Sequence, residues 1–262
     1  MTMEHNLPPF FFEIFSPSLP RLGPGSPQTT RKALSIVQPF LNELDKGGRE
    51  KLNVLDFGCG NGPQTIELAQ QLNANFLVVD NHQAYLDELF RRAQTRQIAD
   101  RIETCCADMG TLKLEQNSFD LIWSEGSLSI ALGSIEGLKT LHPLLKNGGV
   151  CAFSDLVWLK DNPPEECSQF FAQDCIFMKD LDTSLKLIDE CGFRTIEHFT
   201  LPESAWLVDF YAPLEERITQ LRHLFPNDVE KIALLDGIQA EIDIYRKYSE
   251  YYGYEFFVLQ KR

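Results

Sequence analysis

The chain has 262 residues, with 24 Lys and Arg against 38 Asp and Glu, so its net charge is −14. This length suits one large domain or two small ones, and 44% apolar residues supply enough material for a core, which excludes disorder over most of the chain. The acidic balance excludes a duplex nucleic-acid binder and docking on anionic lipid, both of which need a basic footprint.

No apolar run approaches the ~18 residues of a membrane span. Met1 to Pro9 has no basic region, and the apolar run Phe10 to Phe12 is too short for a secretion signal. The cysteines are Cys59, Cys105, Cys106, Cys151, Cys167, Cys175 and Cys191. Their number is odd, no Cys-x-x-Cys occurs, and most lie in apolar segments. Buried, reduced thiols in a cytoplasmic protein are expected, without a metal site.

Residues 1–27 differ from the rest. Phe10, Phe11, Phe12, Ile14 and Phe15 form an aromatic cluster, followed by a Pro- and Gly-rich stretch from Ser16 to Pro27 that forbids a long helix or central strand. Ala33, Leu34, Val37, Leu41 and Leu44 then predict an amphipathic helix over 28–45, kinked by Pro39 and ended by Gly47-Gly48. From Leu52 short apolar runs alternate with helical segments. Strands are expected at 52–57, 76–80, 102–106, 119–123, 150–157, 193–201 and 254–259. Helices are expected at 63–72, 83–97, 135–145 and 181–191, the last closed by Gly192. This alternation predicts an α/β sandwich of seven strands with parallel pairing, helices on both faces. Residues 202–252 are too long for a plain crossover and read as an inserted helical segment (214–225 and 228–252) inside a domain spanning 28–262.

The strongest local signal is Val54-Leu-Asp-Phe-Gly-Cys-Gly-Asn-Gly-Pro. A buried strand ends at Asp56 and Phe57. Gly58, Gly60 and Gly62 then permit positive φ and close backbone approach to a ligand. Pro63 suits a first helical turn, whose free amides can face an anionic group. The order Asp-x-Gly-x-Gly-x-Gly fits the dinucleotide fingerprint poorly, because Pro63 stands where close helix packing is needed. A Walker loop is excluded, since no Gly-Lys-Ser or Gly-Lys-Thr follows.

Leu55-Asp-Phe-Gly-Cys-Gly-Asn-Gly resembles motif I of the class I S-adenosylmethionine-dependent methyltransferases. Val78-Val-Asp80, Cys106-Ala-Asp108-Met109, Phe119-Asp-Leu-Ile-Trp-Ser-Glu125-Gly and Leu144-Leu-Lys-Asn-Gly-Gly are similar to the family's later motifs, in order. The resemblance covers 52–157 and, more loosely, the last strand. Leu19-Pro-Arg-Leu-Gly-Pro-Gly-Ser, Trp123-Ser-Glu-Gly and Tyr251-Tyr-Gly-Tyr-Glu-Phe-Phe further resemble a bacterial branch near the ubiquinone/menaquinone-biosynthesis type methyltransferases. The resemblance implies a Rossmann-like methyltransferase sheet and S-adenosylmethionine as cofactor. It implies that Gly58, Cys59, Gly60 and Gly62 approach the cofactor, that Asp80 with Asn81 takes the ribose hydroxyls, that Asp108 with Met109 meets the adenine, and that Ser124 and Glu125 border cofactor and acceptor.

The chemistry agrees. The cofactor's ammonium and diol need acceptors, which Asp56 and Asp80 can supply. Three acids at three successive strand ends converge on one crevice. Methyl transfer from an activated sulfonium needs mainly proximity and alignment, with a base only where the acceptor loses a proton. Glu125 is the best-placed base, with Asp155 and His142 as further candidates; Glu125 reads equally as a capping or cofactor-side acid. Cys59 reads as a small packing residue, although a nearby helix start can lower a thiol's pKa. Phe10 to Phe15, Trp158, Trp206, Phe210 and Tyr211 lie outside the recognised core and either line an apolar acceptor chamber or pack the inserted helices. Tyr245, Tyr248, Tyr251 and Tyr252 form a helical stripe of core character. Residues 10–26 read as a lid, with Arg21 meeting the cofactor's carboxylate through its planar fork, or as a permanent strap. The expected function is methyl transfer to a small-molecule acceptor. The alternatives are a nicotinamide-dependent oxidoreductase, disfavoured by Pro63 and by the absence of a Tyr-x-x-x-Lys pair, and a non-catalytic S-adenosylmethionine-binding module. Nothing in the sequence sets an oligomeric state.

Overall fold

The computed structural model describes residues 7–44, 51–173, 176 and 178–262; Gly47-Gly48 and Cys175 lie outside them. Two helices precede the sheet, α1 (Pro9–Ile14) and α2 (Pro27–Leu44). The sequence pattern showed an aromatic cluster at α1 but no helix. Pro9 opens the helix without losing a bond, and Phe10 and Ile14, four apart, bury one face.

The sheet contains β1 (Leu52–Phe57), β2 (Ala74–Asp80), β3 (Ile102–Cys106), β4 (Phe119–Glu125), β5 (Leu145–Trp158), β7 (Phe193–Thr200) and β8 (Tyr252–Lys261), in the order β3-β2-β1-β4-β5-β8-β7. A two-residue β6 (Lys179–Asp180) pairs with β5 and makes an eighth strand. The crossovers carry α3 (Pro63–Gln71), α4 (Gln83–Thr95), α5 (Leu128–Leu132), α6 (Ser134–Leu141), α7 (Glu165–Gln173) and α8 (Leu181–Glu190). The inserted segment holds α9 (Glu203–Trp206), a π-helical turn (Leu207–Tyr211), α10 (Ala212–Leu224) and α11 (Val229–Tyr248).

The expected parallel pairing holds for β1 to β5 but not for the last strand. β8 pairs antiparallel with both β5 and β7. The insertion explains this. β7 ends at the carboxyl edge of the sheet, the helices sit over that edge, and β8 re-enters from it. A chain that returns from the edge it left must run the other way.

Strand alternation divides the core. One face packs Val54, Phe76, Trp123 and Val258 against α2, α3 and α4. The other packs Leu55, Ile122, Phe153 and Phe257 against α6 and α8. A third cluster joins Phe10, Ile14 and Leu19 to Trp206, Phe210 and Leu214 of the insertion. It roofs the carboxyl edge at the β1/β4 switch point, where ligands bind in open α/β sheets.

Candidate active site

The loop after β1 leans on β2. Gly58 and Cys59 each donate a backbone N–H to the Val79 carbonyl at 2.9 Å. Gly60 N–H donates to Asp80 Oδ2 at 2.8 Å, and His82 N–H to Oδ1 at 2.9 Å. Gly58 (φ +78°) and Gly60 (φ +53°) are left-handed. A Cβ on Gly58 would lie 2.5 Å from Ser127 Cβ, and one on Gly60 3.2 Å from Leu22 Cδ1. Asp80 spends one bond per oxygen on these amides and keeps acceptor capacity for further donors. Burial raises its pKa, against the lowering effect of the two amides.

A cavity of about 1170 Å³ opens from this loop. Arg21, Gly58, Cys59, Gly60, Asp80 and Asn81 line one end, with Met109, Glu125 and Ser127. Four residues expected from sequence at the cofactor lie outside its lining. Asp56 is fully buried behind the loop, where it accepts from Thr65 Oγ1 at 2.5 Å and from Gln64 Nε2 at 3.5 Å. Burial pushes its pKa up to about 7, opposed by the Thr65 hydrogen bond. Gly62 (φ +76°) caps α3, with Leu89 occupying the space a Cβ would need. Ser124 points to the opposite face of β4 from Glu125 and donates to the Phe57 carbonyl at 2.8 Å. Asp108 accepts from Gly110 N–H at 2.6 Å and presents its neighbour Met109 to the cavity. Cys59 is buried, and burial with the nearby Asp56 and Asp80 charges drives its thiol pKa well up, the packing reading rather than an activated thiol.

Glu125 is a junction of three segments. Its Oε2 accepts from Arg21 Nη2 at 2.5 Å, and its Oε1 from Thr30 Oγ1 of α2 at 2.7 Å and Trp123 Nε1 at 2.9 Å. Trp123 and Glu125 share a face of β4, which brings the indole to the carboxylate. Three donors, one of them a cation, already occupy most of the acceptor capacity of Glu125 and stabilise its charged form, so the arrangement favours positioning over general-base work. The Arg21 and Glu125 side chains are only 7% and 3% exposed.

The segment before α2 is fastened along its length. Asn61 Nδ2 donates to the Leu19 carbonyl at 2.6 Å, Arg92 Nη2 to the same oxygen at 2.8 Å, and Tyr85 OH to Phe15 O at 2.8 Å. Gly25 N–H donates to Ala205 O at 3.2 Å, which ties the segment to the insertion. Phe12 stacks on His82 with centroids 4.0 Å apart, at the rim beside Asn81.

The far end of the cavity is an aromatic chamber. Trp206, Phe210 and Tyr211 line it; Phe11, Phe12 and Phe15 line the same cavity on the His82 and Tyr85 side, whereas Phe10 and Trp158 pack into the third cluster outside the lining. Of the tyrosine stripe, Tyr252 also lines the cavity, while Tyr245 stacks on Trp206 at 4.3 Å. Asp155 lines the chamber, accepts from Ser134 Oγ and from Leu156 N–H, and has its pKa raised by burial. His142 lies outside the lining, edge-on to Phe193 at 5.0 Å, with its pKa lowered by burial. Sequence reasoning missed Phe171, Glu241 and Tyr254. Tyr254 stood in the quoted terminal motif, but no spacing marks Glu241 among the acids of α11. Among the described residues, no cluster of three His, Cys, Asp or Glu could hold a metal, and no helix is long and apolar enough to cross a membrane.

Residues 54–149 match the methyltransferase domain family. The chain is 26% identical over 160 residues to phosphoethanolamine N-methyltransferase 1 of Triticum aestivum, covering 61% of this chain and 31% of the relative. It is 24% identical over 178 residues to a sterol 24-C-methyltransferase of Aspergillus fumigatus, covering 64% and 46%. The chain thus spans a third to a half of the length of these relatives. Its fold matches a SAM-dependent methyltransferase from Thiobacillus denitrificans, crystallised with S-adenosyl-L-homocysteine, at a TM-score of 0.79 and 19% identity over 98% of this chain and 100% of that one. Over residues 54–149 the chain is thus similar to a methyltransferase domain, and its fold is that of the class I S-adenosylmethionine-dependent methyltransferases.

Proposed function

We propose that the protein transfers the methyl group of S-adenosylmethionine to a small-molecule acceptor seated in the aromatic chamber. One observation carries this reading: a single cavity of about 1170 Å³ runs from the glycine loop to the chamber. A pocket for one small ligand takes about 300–1,000 Å³, so this one has room for a donor and an acceptor end to end. The residues fit the donor. Asp80 has acceptor capacity for a diol, Asn81 and Met109 line the cavity beside it, and the backbone comes close at Gly58 and Gly60. S-adenosylmethionine supplies an activated methyl group when bound. The chain aligns the acceptor, excludes water through the roof of α1 and the insertion, and holds Glu125 and Arg21 in place. Of the acids in the chamber, Asp155 is the one we assign to proton removal where an acceptor requires it.

The nicotinamide and binding-module readings are separated by experiment. Calorimetric titration with S-adenosylmethionine and with NAD distinguishes the first, since binding of NAD alone would refute the proposal. Turnover of methyl-labelled cofactor with a metabolite library distinguishes the second. The flanking motifs support kinship with the branch near the ubiquinone/menaquinone-biosynthesis type methyltransferases. We take residues 10–26 as the wall that closes the cofactor end, with Arg21 facing the cofactor's carboxylate. Free thiols at Cys59, Cys151 and Cys167, all buried, support a cytoplasmic setting, and the net charge of −14 supports the absence of a nucleic-acid partner.

A further inference from the structure

Resting on the methyl-transfer reading, we propose that the acceptor is an amine, methylated at nitrogen, whose cationic product is held between the Glu241 carboxylate and the aromatic rings of the chamber.

The charge of the lining comes first. Among the described residues, the cavity is lined by four carboxylates (Asp80, Glu125, Asp155 and Glu241) and two cations (Arg21 and Lys179). Arg21 is paired with Glu125, and Lys179 acts on Asp155, whose pKa it lowers. Carboxylates outnumber cations two to one in this lining, and Glu241 would repel a phosphate or a carboxylate on the acceptor. Acceptors carried on a phosphate or a carboxylate are therefore disfavoured.

The rings come second. Trp206 meets Tyr254 at 4.9 Å and 70°, Tyr211 at 5.9 Å and 49°, and Tyr252 at 6.3 Å and 86°. Tilted rings of this kind present π-faces in several directions, and a π-face attracts a cation, most strongly where water is excluded. Glu241 accepts from Tyr211 OH at 3.0 Å, and its charge also acts on Tyr252 and Tyr254. The carboxylate thus belongs to the same cage as the rings.

Two unsatisfied atoms come third. Trp206 Nε1 and Tyr252 OH are buried without a hydrogen-bond partner, in residues 3% and 1% exposed. Both residues line the cavity. Buried polar groups are nearly always paired; left dry beneath the lining, these two mark a wall from which water is excluded, where ring faces attract a cation most strongly.

The step balances. The amine lone pair forms the N–C bond while the C–S bond breaks, and its electron pair goes to sulfur, giving neutral S-adenosylhomocysteine. The positive charge passes from sulfonium to nitrogen. It arrives beside Glu241, where the charge is stabilised as it develops. A primary or secondary amine then gives up its proton to Asp155 or to water.

The test is calorimetric titration of the whole chain, saturated with S-adenosylhomocysteine. The probes are benzyltrimethylammonium, its neutral isostere neopentylbenzene, and benzyl phosphate. We expect the cation to bind at least tenfold tighter than the isostere and benzyl phosphate not to bind. Glu241→Gln, which keeps an acceptor for Tyr211, should abolish the preference and leave S-adenosylhomocysteine affinity unchanged. Equal binding of cation and isostere by the parent protein, or a preference that survives in Glu241→Gln, overturns the inference. Failure to bind S-adenosylhomocysteine at the outset would instead overturn the methyl-transfer reading.

Discussion

Glu125→Gln separates a structural junction from a catalytic base. The substitution removes one charge and turns one of the two oxygens into an amide donor. If the remaining oxygen keeps Thr30 and Trp123, at 2.7 and 2.9 Å, the new NH₂ faces Arg21 Nη2, 2.5 Å from the atom it replaces. Two donors then oppose each other, and the Arg21 guanidinium, 7% exposed, loses its counter-charge. Breaking a buried ion pair from one side costs about 3–5 kcal/mol. The midpoint of urea unfolding should fall accordingly, at unchanged slope. The double variant Arg21→Met, Glu125→Gln should recover much of the loss, because no unpaired charge remains. Cofactor affinity should fall with the single variant, since Arg21 and Leu22 wall the cofactor end. A stability loss under ~1 kcal/mol, the level of an exposed pair, together with a fall in kcat alone, would refute the junction and restore Glu125 as the base.

Asp80→Ala should weaken S-adenosylmethionine by about 1.5–3 kcal/mol, the range for hydrogen bonds to a charged group; calorimetry showing parental affinity would remove Asp80 from the site. Gly60→Val should abolish cofactor binding with little change in circular dichroism, because the position is left-handed (φ +53°) and faces Leu22. The Asp56 carboxyl is raised from 3.8 to about 7 by burial. A carboxyl with the higher pKa in the folded state takes up a proton on folding. Its contribution is present below pH ~4 and is lost as pH rises towards ~7. Asp56→Asn should flatten that part of the stability–pH curve by an amount on the order of 1–4 kcal/mol, and an unchanged slope in denaturant titrations would count against it. Amides in residues 10–26 that donate in the structure, such as those of Leu19 and Gly25, should exchange slowly even without cofactor, as expected of a strap. Fast exchange without cofactor and protection with it would establish a lid.

Much of the fold was legible in the sequence because its signals are local. β1 begins and ends where its apolar run does, since a strand buried on both faces writes its length as hydrophobicity; β3 also has the expected bounds, although this edge strand buries only Ile102. The glycines of the loop were legible because only glycine tolerates the left-handed backbone that the turn requires. What the sequence could not convey depends on which distant segments meet. The direction of β8 followed from the insertion returning to the edge it left. Glu125 looked like a free acid at a strand mouth, yet Arg21 and Thr30, 104 and 95 residues away along the chain, take up its oxygens. Asp56 looked like a ligand acceptor, and Thr65 and Gln64 claim it from the first turns of α3. Glu241 sat unmarked in α11 until Tyr211 was brought against it. Backbone propensity and burial are properties of a few neighbouring residues, whereas the partner of a charged side chain is chosen by the whole packed chain.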